Sequence, residues 1–390
     1  MRKGWEYKRF DEVFDLQMGK TPDRKNPEYF GGNNVWVSIR DLGDKEIADS
    51  NEHITDLAVS NSNIRKVKRG TVIMSFKLTV GKCGIAATDL YTNEAIMAFN
   101  TKESFDINSS FLYYYLQCYH WVGSNKAVMG TTLNKATISK QYISIPPLST
   151  QLAIVSELDK INELIRLKKE QLKDFDNLAQ SLFYEMFGDP VENEKGWEVK
   201  KLGDVCEVTS AKRVFIDEVV ESGVPFIRGT ELTALSKLVP GEKMDYTLFI
   251  TYEHYERLKA ITGVPKIGDL LIPSINADGI VWMVDTEDPL YFKDGRVLWV
   301  HVNHEYYNSI AIQKLMNVLI KNVFTSMGGA TFAELKLFVL RNMNVPTPPL
   351  SVQDAFSEKI KQIDAQKLQV KKSIQDLETL LASRMQYWFE

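Results

Sequence analysis

The stretch IPPLSTQ, residues 145–151, returns near the end of the chain as TPPLSVQ, residues 347–353. Pro146, Pro147, Leu148, Ser149 and Gln151 correspond to Pro348, Pro349, Leu350, Ser351 and Gln353, and the alignment continues without a gap up to Phe187 and Phe389. A second match opens each half: GWEYKRFDEV from Gly4 and GWEVKKLGDV from Gly196. Internal repetition constrains architecture more than any local propensity. The 390 residues divide into a globular segment (1–146), a helix (147–187), a second globular segment (188–346) and a second helix (347–390). At ~100–200 residues per domain, that length suits two globular units.

Both helical stretches carry a seam of period 3.5. The first reads Ile154, Leu158, Ile161, Ile165, Leu172, Phe175, Ala179 and Leu182, interrupted at Lys168; the second reads Phe356, Ile360, Ile363, Val370, Ile374, Leu377 and Leu381, interrupted at Lys367. Two such seams in one chain predict that the helices pair with each other. The Pro-Pro before each helix blocks backward extension, and Ser149 and Ser351 are the expected N-caps. FGDP at 187–190 stops the first helix with Gly and then Pro.

The globular segments are mixed. NNVWVSIRDL, GTVIMSF, YISIPPL, VPFIRGTEL, GDLLIPSI and GIVWMVD read as strands, whereas SSFLYYYLQCYHWV and NSIAIQKLMNVLIKNV read as helices. An α+β domain used twice is the expectation.

Several chemistries lack their motifs. There is no GxGxxG after a strand, no GxxxxGK[ST] and no GxSxG. His301 and His304 in HVNH form a pair without a third ligand nearby. The Pro-Pro pairs lack the preceding Asn and following aromatic with which DNA amino-methyltransferases hold a flipped base. Cys83, Cys118 and Cys206 are odd in number and lack CxxC spacing, as expected of reduced thiols in a cytoplasmic protein. No apolar run approaches the ~18 residues of a membrane span, and the start lacks the apolar core of a signal peptide. The net charge of −4 hides a basic excess in 1–146 and an acidic one in 188–346. Any nucleic-acid surface must therefore be a local cluster.

The ordered set of duplicated motifs resembles the specificity subunit of type I restriction-modification systems. The likeness rests on the two PPLS hinges with their heptad helices, on SLFYEMFGDP running into GWEVKKLGDV, and on the recurrence of GWE at the start. It implies two similar mixed α/β target-recognition domains, joined by two long antiparallel coiled-coil helices with pseudo-two-fold symmetry. It also implies a non-catalytic subunit that binds double-stranded DNA and recruits two DNA adenine methyltransferase subunits and, in restriction complexes, two restriction subunits. No cofactor is expected on this chain; S-adenosylmethionine, ATP and Mg belong to the partners. A helix of ~35 residues would span about 50 Å, more than one DNA turn of ~34 Å. Because the two globular segments differ, unlike half-sites are expected.

Under this likeness the DNA-binding candidates are basic and small residues in loops. MGKTPDRKN supplies Lys20, Arg24 and Lys25, and IRKVKRG supplies Arg65, Lys66, Lys68 and Arg69. Lys77 and Lys82 flank a central turn; GTTLNKAT adds Thr131, Thr132 and Lys135. The second half offers Lys212, Arg213 and, in MGGATF, Thr331. Arg40 in SIRD and Arg228 in FIRG hold like positions after a strand and suit bidentate reading of guanine; Asp41 or Asp44 could instead neutralise Arg40. Two other readings are a coiled-coil scaffold that binds protein and a specificity subunit of a related, non-type-I restriction system.

Overall fold

Within each half, the two recurring motifs lie side by side in space. In the computed structural model, which describes residues 2, 4–122, 125–127, 130–238, 244–326 and 334–389, the chain forms two compact units. The first comprises Met1–Leu167 and Gln375–Glu390, the second Lys168–Ile374. Each unit thus takes part of both long helices, Leu148–Phe187 and Leu350–Phe389.

In the first unit the strands are β1 (Glu6–Arg9), β2 (Phe14–Met18), β3 (Phe30–Val37), β4 (Glu46–Ile47), β5 (His53–Ile54), β6 (Val72–Ser75), β7 (Cys83–Ala86), β8 (Tyr91–Thr92), β9 (Ile96–Thr101), β10 (Asn125–Ala127), β11 (Gly130–Thr132) and β12 (Tyr142–Ile145). In the second they are β13 (Val199–Lys201), β14 (Glu207–Ser210), β15 (Val224–Ile227), β16 (Phe249–Ile250), β17 (Leu270–Pro273), β18 (Trp282–Met283), β19 (Tyr291–Phe292), β20 (Val297–His301) and β21 (Asn344–Pro346). The sheet β2-β9-β6-β7-β4 corresponds to β14-β20-β17-β18, and the sheet β5-β3-β8 to β16-β15-β19. Even the pairing sense repeats: β3 runs parallel to β8 and antiparallel to β5, as β15 does to β19 and β16. The first unit adds the short edge strand β4, parallel to β7, and the hairpin β10-β11.

Alternation along the central strands fixes where the cores lie. In β6, Val72 and Met74 enter a core with Phe10, Phe99 and Phe111, while Ile73 enters another with Val37, Ile96 and Ala98. Likewise Leu270 and Ile272 of β17 face one core, and Leu271 faces a second with Ile227 and Trp299. Successive side chains of a strand point to opposite faces, so a sheet buried on both sides reads as an unbroken apolar run.

The outer frame of each unit is a two-stranded ladder. β1, directly after the first GWE, pairs antiparallel with β12, which leads into IPPLSTQ; β13 pairs with β21, which leads into TPPLSVQ, in the same way. The tryptophan of each GWE docks on a long-helix terminus. Trp197 donates its indole N–H to the carbonyl of Phe187 at 2.9 Å, and Gly188, with φ 72°, turns the chain out of that helix. Trp5 packs on the core that holds Trp388 and Phe389, with the Arg2 guanidinium over the Trp5 and Trp388 rings.

Within each unit the two helices run antiparallel. In the first, Glu157 accepts from Arg384 and from the Trp388 indole, and Phe389 stacks edgewise on Tyr115. In the second, Phe356 lies 4.9 Å from the Phe187 ring and 6.0 Å from that of Phe183. The seam positions Ile154, Leu158, Ile161, Ile165, Phe356, Ile360, Ile363, Val370 and Ile374 are buried. Lys367, the interruption in the second seam, places its ammonium 2.7 Å from Asp176 of the other helix. A charged residue at a seam position costs stability but specifies alignment.

Ser149 and Ser351 are not N-caps: the helices begin at Leu148 and Leu350, one residue earlier. The carbonyl of Pro147 accepts from Thr150 and Gln151, and that of Pro349 from Val352 and Gln353. The side chain that ties each hinge to its domain is instead the glutamine. Gln151 is fully buried; its amide donates to the carbonyls of Pro146 and Asp106 and accepts from the N–H of Asn108 at 2.8 Å. Gln353 does the same with Pro348, Tyr306 and Asn308. Gln151→Ala strands three main-chain groups, each worth about 1–3 kcal/mol when left unpaired. We expect the variant to lose about 3 kcal/mol in a urea titration; a loss below about 1 kcal/mol would show that water replaces the amide.

Candidate nucleic-acid interface

The first unit carries a cleft of about 600 Å³ lined by Arg24, Ser38, Ile39, Arg40, Asn51, Glu52, Leu78, Thr79, Asn93, Glu94 and Ala95. It forms where the end of β3, the turn after β6 and the turn after β8 converge. Gly19 sits under one edge, where a Cβ would lie 2.2–2.3 Å from the main-chain oxygens of Thr92 and Asn93. Only glycine allows that approach.

Arg24 and Arg40 are the two sequence candidates that line this cleft, and their states differ. The Arg24 guanidinium makes a bidentate pair with Glu52, at 2.6 and 2.9 Å, and lies 4.9 Å from the ring centres of both Phe30 and Trp36. The hydrogen bonds from Arg24 hold the Glu52 carboxyl below the usual carboxylate range. The Arg24 guanidinium is thus engaged by an acid; Lys20 and Lys25 belong to the same candidate group. Those two lysines are exposed, and the main chain at Lys20 is pinned by Thr92 and by the Trp36 indole.

Asp41 does not neutralise Arg40. Its carboxylate accepts from the N–H and hydroxyl of Ser38 and from the N–H and side-chain amide of Asn51. Burial pushes the Asp41 carboxyl up, but these four hydrogen bonds outweigh it and hold it below the usual range. Among the described residues Arg40 has no acidic partner within salt-bridge distance, and it is exposed.

The turn bearing Lys77 and Lys82 borders the cleft through Leu78 and Thr79. Lys77 lies over the Phe76 ring at 5.4 Å, while Lys82 is exposed. The segment after β11 docks on this turn, since Leu133 donates to the carbonyl of Phe76. Thr131 and Thr132 belong to β11, their side chains lying outside the described residues, and the exposed Lys135 opens the short helix Lys135–Ser139, which buries Ile138. Arg65, Lys66, Lys68 and Arg69 form an exposed run beside the Val67–Leu90 bridge, with Lys66 3.8 Å from Asp89. None of these four lines the cleft.

In the second unit the candidates are more engaged. Arg213 pairs with Asp294 at 3.1 Å. The main chain of Lys212 meets the Tyr291 hydroxyl at 2.9 Å, leaving its ammonium exposed. Thr331 lies outside the described residues. Arg228, which caps its helix where Ser38 does in the first unit, is held by Glu231 through Nε at 3.2 Å and Nη2 at 2.8 Å. Its guanidinium is thus paired within its own domain. The two histidines of HVNH have separate partners: His301 lies 3.1 Å from the buried Asp269, and His304 lies 3.2 Å from the carbonyl of Tyr307. Among the described residues no group of three or more His, Cys, Asp or Glu is placed to hold a metal ion. Sequence reading missed Ser38, Asn51, Thr79 and Asn93, which carry no charge and lie outside the basic clusters and the GTTLNKAT and MGGATF stretches that guided it.

Two domains of one strand topology, carried on paired helical segments and presenting polar loops, define a tandem recognition protein. The chain belongs to the type I restriction modification DNA specificity domain family, whose model matches residues 2–174 and again 194–379. It is 25% identical over 391 aligned positions to the MjaIX specificity subunit of a type I restriction enzyme from Methanocaldococcus jannaschii, covering 91% of this chain and 85% of that one. The MjaVIII specificity subunit of the same organism is 22% identical, with 92% and 86% covered. Among solved structures, one from work on complex assembly and conformational transition of the type I restriction-modification system covers 100% of this chain and 98% of its own, at 17% identity and a TM-score of 0.64. The S subunit from M. genitalium covers 98% and 95% at 15% identity, with a TM-score of 0.52.

The Arg228–Glu231 pair has a pH signature. The guanidinium, foremost, holds the Glu231 carboxyl at about 2, against an ordinary value of 4.5. A depressed carboxylate stabilises the fold fully above its unfolded value, and that stability is lost as pH falls through the folded value. With the half-exposed guanidinium discounted, about 2 kcal/mol is at stake between those two pH values. Unfolding curves of wild type and Glu231→Gln should converge as pH drops from 4.5 toward 2. Parallel curves would place the pH dependence elsewhere.

Proposed function

We propose that this chain is the DNA sequence-specificity subunit of a type I restriction-modification complex. It binds an asymmetric, bipartite duplex site, one half through each recognition domain. It recruits two DNA adenine methyltransferase subunits and, for restriction, two restriction subunits in the cytoplasm. The chain itself contributes no catalytic group; S-adenosylmethionine, ATP and Mg²⁺ act on those partners. The observation that carries this reading is the double match of one specificity-domain family over nearly the whole chain, on two domains whose frames repeat and whose loops differ.

The physical logic comes from the duplex. Phosphate contacts from exposed lysines position a protein without reading sequence, while specificity needs contacts to base edges. Exposed cations such as Lys20, Lys25, Lys68, Lys82 and Lys212 suit the first task. An unpaired planar guanidinium suits the second. Unlike loops on the two domains then select unlike half-sites.

The test is a methylome from cells that express this chain with its cognate methyltransferase. We expect adenine methylation at one motif made of two different short half-sites separated by a fixed gap. A palindromic motif, or methylation independent of this chain, would overturn the reading.

A further inference from the structure

Each recognition domain places an arginine shortly after the strand that runs parallel to its neighbour, Arg40 inside the short helix Ile39–Asp41 and Arg228 at the cap of the helix Gly229–Leu235, and the two side chains are held in opposite ways. Arg40 stands exposed in the cleft of the first unit, and Arg228 is locked to a buried glutamate in the second. Resting on the specificity reading above, we propose that Arg40 reads a guanine in the half-site of the first domain, and that Arg228 is a positioning residue that reads no base.

The argument begins with competition for the guanidinium. Of the two cations in the cleft, Arg24 is taken by Glu52. Asp41, the nearest acid in sequence, is saturated by Ser38 and Asn51. These pairings occupy the oxygens of both acids, so Glu52 acts on Arg40 through its charge and neither acid forms an ion pair with it. The five N–H donors of a free guanidinium match guanine O6 and N7 bidentately.

A phosphate is the other partner an arginine can take, and the surroundings disfavour it. Glu52 and Glu94 both line the cleft, so an entering phosphate would meet carboxylates, whereas a base edge is neutral. Leu78, 53% exposed and in a left-handed backbone conformation (φ 64°), adds an apolar lip to the same cleft. Such strain persists only where surrounding structure enforces it. An apolar lip in one cleft with a forked donor fits a base better than a phosphate oxygen.

Arg228 differs because the acid three residues on is turned toward it. Glu231 accepts from the Arg228 side chain, the Arg228 N–H and the Thr230 hydroxyl, and caps the helix Gly229–Leu235. Freeing the guanidinium would leave the buried carboxylate with only the Arg228 N–H and the Thr230 hydroxyl, a loss that opposes the gain from one base contact.

The experiment uses the full chain assembled with its methyltransferase, bound to duplexes carrying the methylome motif and each single-base substitution. Arg40→Ala should relax preference at one G·C pair of one half-site by roughly 5- to 150-fold, with affinity for unrelated DNA and the salt slope nearly unchanged. Arg228→Ala should keep every base preference while lowering the unfolding temperature. Uniform weakening on all duplexes by Arg40→Ala, with a shallower salt slope, would assign it to phosphate and overturn the proposal. So would unchanged preferences in Arg40→Ala, or relaxed preference at any position in Arg228→Ala. A wild-type complex that shows no motif at all would defeat the specificity reading itself, which keeps the two failures apart.

Discussion

A single amide side chain decides how each domain is joined to its helix. Gln151 and Gln353 are fully buried, and each satisfies two carbonyls and one N–H of the main chain. One carbonyl comes from the Pro-Pro hinge, while the other two groups come from the loop before the helices Ser109–Cys118 and Ser309–Ser326. The amide therefore ties together segments that are far apart in sequence. Proline supplies no N–H to the hinge, so without the glutamine those carbonyls would face an apolar core unpaired. A buried unpaired group costs more than a typical hydrogen bond contributes. That asymmetry makes the junction geometrically strict, and each helix inherits its direction from it.

The frame was legible in the sequence because it obeys periodic rules. A 3.5-residue seam, a Gly-Pro stop and an unbroken apolar run each have one dominant structural solution. Residues such as Ile154, Phe356 and Met74 end up where their spacing places them. The hinge motif was legible as a repeat but not as a mechanism. Its serines have the chemistry of N-caps, yet the helix starts one residue earlier, and the glutamine that does the bonding has no capping signature. The role of such a side chain depends on partners more than forty positions away, which no local pattern contains.

The interface was less legible, for an electrostatic reason. Sequence names cations but does not say which of them meet an acid. Arg40 precedes an aspartate directly and Arg228 precedes none, so adjacency points to the wrong arginine as the paired one. Asp41 is drawn instead to Ser38 and Asn51, whereas Glu231 folds back over one helical turn onto Arg228. A shift of the helix start relative to the arginine decides this. In the first domain the arginine lies inside the short helix Ile39–Asp41; in the second it is the residue before Gly229–Leu235. Such a shift is invisible to composition and to period alike.

This pattern explains how one frame can carry two different readers. The ladders β1-β12 and β13-β21, the hinge glutamines and the tryptophan docks all lie at the base of each unit, and their bonds are made by residues that recur. The cleft is built from the turns after β3, β6 and β8 and the loops before β3 and β5, and its side chains include pairs that bond one another: Arg24 to Glu52, Asp41 to Ser38 and Asn51. Because these local networks do not share partners with the frame, their energies are close to independent of it. A change that rewires the cleft then alters which side chain is left free without disturbing how the domain is held. Base preference can vary while the junction to the helices stays fixed.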